Sequence, residues 1–139
     1  LSIAADRLAV PAMTDAPKPA LRSDEPQLFV TDIRVAAGYF VRKLGIRIVF
    51  LYGDAPFYGE VARDGAGLNL RHVDAPSVNP ALVAREDFPA ASINASDVAA
   101  LYREFEASGA TFHQPLRQEP WRATTFIIKD PDGNRILYT

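Results

Sequence analysis

The chain has 139 residues, a net charge of -2 and 48% hydrophobic residues, a size and balance that suit one globular domain without a disulfide or metal staple. It has no cysteine, which excludes thiol catalysis, thiolate metal ligands and disulfides and fits a cytoplasmic setting. No Lys/Arg stripe points to nucleic acid, and no apolar run nears the roughly 20 residues that span a bilayer.

In chain order, residues 1–24 come first. They are rich in Ala and Pro, and Pro11, Pro17 and Pro19 break any helix. They read as a flexible N-terminal arm or a tail laid on the surface. Leu1 to Ala12 lack a basic start and a long apolar region, so they do not read as a signal peptide. Met13, the only methionine, reads as a natural start, with residues 1–12 as upstream or appended sequence. A strand is expected at 26–31, with Asp32 as helix N-cap. Ile33, Ala36, Ala37, Phe40 and Leu44 fall on one helical face, and Gly45 sits where a left-handed C-terminal residue is wanted. Strands follow at about 46–52, 57–63 and 67–72. Residues 73–87, with Pro76 and Pro80, read as an irregular linker.

The pattern then repeats. A strand at 90–95 leads to N-cap Asp97, a helix over 98–108 with the face Val98, Leu101, Tyr102 and Phe105, and Gly109. Strands near 110–114, 123–129 and 134–139 complete the second copy. Phe40 follows Asp32 by eight residues, as Phe105 follows Asp97, and Asp64-Gly65 is echoed by Asp132-Gly133. The sequence is thus two copies of a β-α-β-β-β unit, about 25–73 and 88–139, joined by linker 74–87. Asp130-Pro131-Asp132-Gly133-Asn134 is a turn: Pro fixes φ, Gly supplies positive φ and Asn tolerates it. It is not a calcium loop, because its Gly is misplaced and no bidentate Glu follows. No nucleophile elbow, phosphate-cradling loop or dinucleotide fingerprint is present.

The stretch FVTDIRVAAGYFVRKLG, its echo 65 residues later and the closing DPDGNRIL resemble the vicinal oxygen chelate superfamily. That superfamily includes glyoxalase I, extradiol dioxygenases and bleomycin-resistance proteins, and the bleomycin-resistance-like members are the most similar. The resemblance covers about 26–139. It implies an α+β fold in which two tandem βαβββ modules form a curved-sheet cup that holds a metal or an organic ligand. It also implies a homodimer, which the open sheet edges favour independently.

Metal-dependent members carry a donor at four positions that match Glu25, Asn69, Ala90 and Leu137 here. Two of these are alkyl groups, so no family-type metal site and no cofactor are expected. His72 falls at a strand end and by alternation faces away from the cup. His113 can face either way. A site made by both histidines and a carboxylate has no spacing to support it.

Strand alternation turns Phe29, Asn69 and Arg71 toward the cup. Glu60 falls opposite Asn69 if Asp64-Gly65 is a two-residue hairpin turn. With Tyr58 and the loop residue Trp121, these six form the expected ligand-binding set. Aromatic rings suit a planar or cationic organic molecule, although core or dimer packing explains Phe29 equally well. The expected function is metal-independent binding of a small organic ligand enclosed in the cup. The alternative is a metal-dependent lyase, isomerase or dioxygenase of the same superfamily with shifted ligands.

Overall fold

A computed structural model describes residues 17–86 and 88–139. Two four-stranded sheets carry one long helix each. The first contains β1 (Gln27–Val30), β2 (Arg47–Tyr52), β3 (Tyr58–Arg63) and β4 (Ala66–His72), with α1 (Ile33–Leu44) between β1 and β2. A short helix α2 (Pro80–Glu86) precedes the second module. That module is β5 (Ala91–Ile93), α3 (Val98–Ser108), β6 (Phe112–Gln118), β7 (Thr124–Lys129) and β8 (Arg135–Tyr138). The strand orders are β1-β4-β3-β2 and β5-β8-β7-β6. In each sheet the first strand runs parallel to the last, so the sequence echo is also a topological one.

Local chemistry sets the boundaries of the helices. Asp32 Oδ1 accepts the Arg34 and Val35 N–H groups at 2.9 and 3.1 Å, and Asp97 Oδ1 accepts the Ala100 N–H at 3.0 Å. Each carboxylate thereby satisfies first-turn donors that have no partner inside the helix. Gly45 and Gly109 end the helices with φ of 63° and 80°, a left-handed geometry that is strained for a residue with a Cβ.

The core lies between the modules as well as within them. Leu28, Val30, Phe40 and Leu44 of the first module join Phe105, Phe126, Ile128, Ile136 and Tyr138 of the second in one buried cluster. Polar bolts cross the same seam. The Thr31 N–H and hydroxyl both donate to Asp132 Oδ1, at 3.0 and 2.7 Å. Asn134 Nδ2 donates to the Phe29 carbonyl at 3.1 Å, and the Thr111 N–H donates to the Tyr39 hydroxyl at 3.1 Å. Arg63 grips Glu104 through two bonds of 2.6 and 2.9 Å. The pairing holds the Glu104 carboxyl below its usual range, burial opposing it only in part. The Asp-Pro-Asp-Gly-Asn segment is therefore a turn and also an inter-module clasp.

Two expectations need correction. The 74–87 linker is not irregular throughout, because it contains α2. Asn79 Oδ1 accepts the Ala81 and Leu82 N–H groups, and Pro80 occupies the first helical position, where its missing N–H costs nothing. Pro80 is thus a helix starter here. The strand expected at 110–114 runs instead from Phe112 to Gln118. It continues through Pro115 because β6 is an edge strand with register shifts on both sides of Gln114, a setting that tolerates proline. Residues 17–24 of the expected arm are exposed and belong to no helix or strand. The remainder of that arm, the Met13 start and the reading of Leu1 to Ala12 lie outside the described residues.

Candidate functional site: an aromatic and polar sheet face

The first sheet buries Leu28, Val30, Val61, Leu68 and Leu70 against the core. Alternation then turns the intervening residues to the other face. Strand register assembles them into two rows. One row is Gln27, Asn69, Glu60 and Phe50, and the next is Phe29, Arg71, Tyr58 and Tyr52. Arg63 pairs with Ala66, so Asp64-Gly65 is the two-residue turn on which the Glu60–Asn69 pairing depended. Asp64 takes φ of 52° there.

Five of the six expected site residues, Phe29, Tyr58, Glu60, Asn69 and Arg71, therefore share one face. The Arg71 guanidinium lies over the Tyr58 ring, 5.7 Å from its centroid, and the Phe50 and Tyr58 rings are 5.6 Å apart. The face is open: Phe29 is 41% exposed. Near its edge, a Cβ at Gly67 would meet Glu25 Cγ at 3.2 Å and Glu60 Oε2 at 3.3 Å. Glycine thus lets these two acidic side chains approach the strand.

Trp121 is not brought to this set. It lies in the β6–β7 loop, is 70% exposed and makes no ring contact with the other five. Its loop is tight: the Glu119 N–H donates to the Ala123 carbonyl and the Arg122 N–H to the Glu119 carbonyl. The base of the loop is a polar network, buried except at Arg117, that sequence reasoning missed. Gln114 Nε2 donates to the Thr125 hydroxyl at 3.0 Å, that hydroxyl donates to Glu119 Oε2 at 2.8 Å, and Arg117 Nε meets the same oxygen at 3.1 Å. Phe50 was also missed, since the continuous apolar run in β2 gives alternation nothing to distinguish. Only the β2–β3 register and its irregularity between Ile48 and Phe50 place it.

The second sheet's equivalent row is Ser92, Leu137, Ile127 and Gln114. Gln27 pairs with Asn69 as Ser92 pairs with Leu137, which makes Asn69 and Leu137 equivalent. Glu25 and Ala90 stand two residues before Gln27 and Ser92. A divalent ion at these four positions would meet a carboxylate, an amide and two alkyl groups, and such a donor set does not fit a metal. Among the described residues, no group of three or more His, Asp or Glu side chains is placed to hold one. His72 is exposed and its Nε2 lies 3.2 Å from Asp74 Oδ1, as befits a strand-end residue. His113 is exposed as well. No helix among the described residues is long and apolar enough to cross a membrane.

Comparison with known proteins adds to this geometry. The sequence matches the family described as Glyoxalase/Bleomycin resistance protein/Dioxygenase superfamily over residues 22–138. No curated protein matches it. Among solved structures, the fold is similar to that of the bleomycin-binding protein from bleomycin-producing Streptomyces verticillus in complex with copper(II)-bleomycin. The TM-score is 0.69 at 21% identity, over 88% of this chain and 98% of that one. A bleomycin resistance determinant encoded on the transposon Tn5 gives 0.68 at 20% identity, over 85% and 96% of the two chains. A glyoxalase-related enzyme from Clostridium phytofermentans gives 0.67 at 18% identity, over 86% and 95%.

Proposed function

The chain belongs to the glyoxalase/bleomycin resistance protein/dioxygenase superfamily, and we propose that within it the chain is a metal-independent binding protein for a small organic ligand. The observation that carries this reading is the open face on which Phe29, Tyr58 and Phe50 surround Asn69, Glu60 and Arg71. Flat aromatic area with a few fixed polar groups is the usual make-up of a small-molecule site. The alkyl side chains of Ala90 and Leu137 argue against a metal at the positions where relatives of this type carry donors. Bleomycin binding by the similar Streptomyces verticillus protein supports ligand binding as a use of this fold. The absence of cysteine supports work in the reducing cytoplasm.

The cup is completed by a homodimer in this reading. Soluble monomers rarely leave a contiguous aromatic surface uncovered, and Phe29, Phe50, Tyr52 and Phe57 are all exposed in a single chain. A second copy that laid its second-module face over this one would bring Trp121 to the ligand. Light scattering at about 10 μM and above is expected to give a dimer mass. A monomer mass would remove the partner from the proposal.

Ligand binding is tested with a panel of aromatic, cationic and acidic small molecules after dialysis against a chelator. Trp121, the only tryptophan, reports by fluorescence, and variants that lack it are read by calorimetry. Trp121→Ala is expected to weaken binding by roughly 1–3 kcal/mol, the scale of a rigid aromatic anchor, and His72→Ala to change it little. Chelation is expected to leave affinity unchanged. About one zinc, iron, manganese or nickel per chain, lost on Glu25→Ala, would replace this reading with a metal-dependent enzyme of the same superfamily.

A further inference from the structure

A second concavity, of about 790 Å3, lies between the modules and includes none of the six expected site residues. One wall is the end of α1 and the β3–β4 hairpin. The other is β5, the first turns of α3 and Tyr138. Its floor is apolar, with Leu44, Leu68 and Phe105 buried and Leu101 partly so. The charged lining is one-sided. Asp24, Asp64, Asp97 and Glu104 face a single cation, Arg63, and Arg63 is committed to Glu104 and to the Leu44 carbonyl. Asp64 shares the Arg63 charge, and Asp24 and Asp97 make no ion pair with a described residue, so the lining is net acidic and its field favours a cationic ligand.

An independent feature points into the same space. Tyr138 is 3% exposed, and its ring is fixed by stacking on Phe126 at 5.0 Å and by an edge contact with Phe105 at 5.3 Å. Its hydroxyl makes no hydrogen bond to a described residue. Tyr138 is also one of the residues that line the groove. A hydroxyl at the edge of a concavity, with no partner among the described residues, is free to bond to a ligand or to water.

We propose that this groove is a second ligand site, separate from the aromatic sheet face, for a small amphipathic amine. The apolar body lies on Leu44, Leu68, Leu101 and Phe105. The ammonium sits by the Asp24 and Asp64 carboxylates, and an acceptor atom on the body takes the Tyr138 hydroxyl proton in a hydrogen bond. The volume falls in the range of small-molecule pockets, roughly 300–1,000 Å3. The proposal does not depend on the function assigned to the sheet face.

The test uses the full chain and dansylcadaverine, a primary amine with an apolar ring system and sulfonyl acceptors, with dansylglycine as its anionic counterpart. Dansyl fluorescence is expected to show saturable binding of the amine, about tenfold or more tighter than the acid. Ala100 is exposed on α3 and lines the groove, so Ala100→Trp fills the space without entering the core. It is expected to weaken binding about tenfold or more, and Tyr138→Phe about threefold, while Tyr58→Ala on the sheet face leaves binding unchanged. Circular dichroism checks that each variant is folded. Four results would overturn the proposal: no saturable binding, equal affinity for amine and acid, indifference to Ala100→Trp, or loss of binding on Tyr58→Ala. Probe affinity that falls as protein concentration rises would place a second copy of the chain in the groove, and would also overturn it.

Discussion

Phe126→Ala is expected to destabilise the protein by about 3–5 kcal/mol, the cost of emptying a large aromatic site that cannot collapse. Phe126 is fully buried and is the hub of the second module's aromatic cluster. It stacks on Tyr138 at 5.0 Å and meets Tyr102, Phe105 and Phe112 at 5.3, 5.7 and 5.8 Å. Its loss would leave four rings without their common neighbour. Domains of this size are stable by about 5–15 kcal/mol in total, so the variant should be close to unfolded at 37 °C. Urea denaturation at 15 °C is the measurement. The midpoint should fall with the slope unchanged, in one transition, because the buried cluster joins both modules. A loss below about 1 kcal/mol would mean that this cluster is not what holds the two modules together.

The second large effect is on the pH dependence of stability. Asp130 is 4% exposed, and burial pushes its carboxyl up from 3.8 to about 6. Hydrogen bonds from Asn134 and Asp132 oppose the rise, and the nearby Asp132 charge adds to it. The folded state thus holds this proton more tightly than the unfolded chain does. The resulting stabilisation is fully present below about pH 3.8 and is lost as pH rises through about 6. A rise of that size corresponds to on the order of 3 kcal/mol. Asp130→Asn removes the titration, and whatever fixed cost the amide brings does not vary with pH. The stability of wild type relative to Asp130→Asn should therefore fall by on the order of 3 kcal/mol between pH 4 and pH 7. Glu104, whose carboxyl is held low by Arg63, contributes in the opposite direction in both proteins and drops out of the difference. A difference that stays flat across this range would refute the assignment.

The same clasp shows where sequence reading stopped. The Asp-Pro-Asp-Gly-Asn segment was legible as a turn, because proline, glycine and asparagine each have a local backbone preference. Its second role was not. Asp132 bonds to Thr31 across 101 residues of chain, and no local pattern encodes that partner. The network of Gln114, Thr125, Glu119 and Arg117 was hidden for the same reason. Each residue is an ordinary polar strand position until register folds them together. Among the site residues, Glu60 and Asn69 were recoverable because a two-residue hairpin fixes their pairing. Trp121 was grouped with them on its chemistry, yet its loop belongs to the other module.

What the sequence by itself determined is therefore what short-range physics controls. The Asp-capped helices, the glycines that end them, the period-2 faces of the strands and the repeat of the whole unit all follow from interactions over a few residues, and each has a side-chain signature. The alkyl residues at Ala90 and Leu137 belong with them, since a side chain without a donor atom cannot ligate a metal in any fold. The tertiary structure alone decided how the two units meet. Their helix-bearing sides share one core, the far face of the first sheet is left open with its aromatic rings, and an acidic groove forms along the seam. These depend on packing between residues tens of positions apart, where many pairings bury similar apolar area and only the assembled geometry selects one.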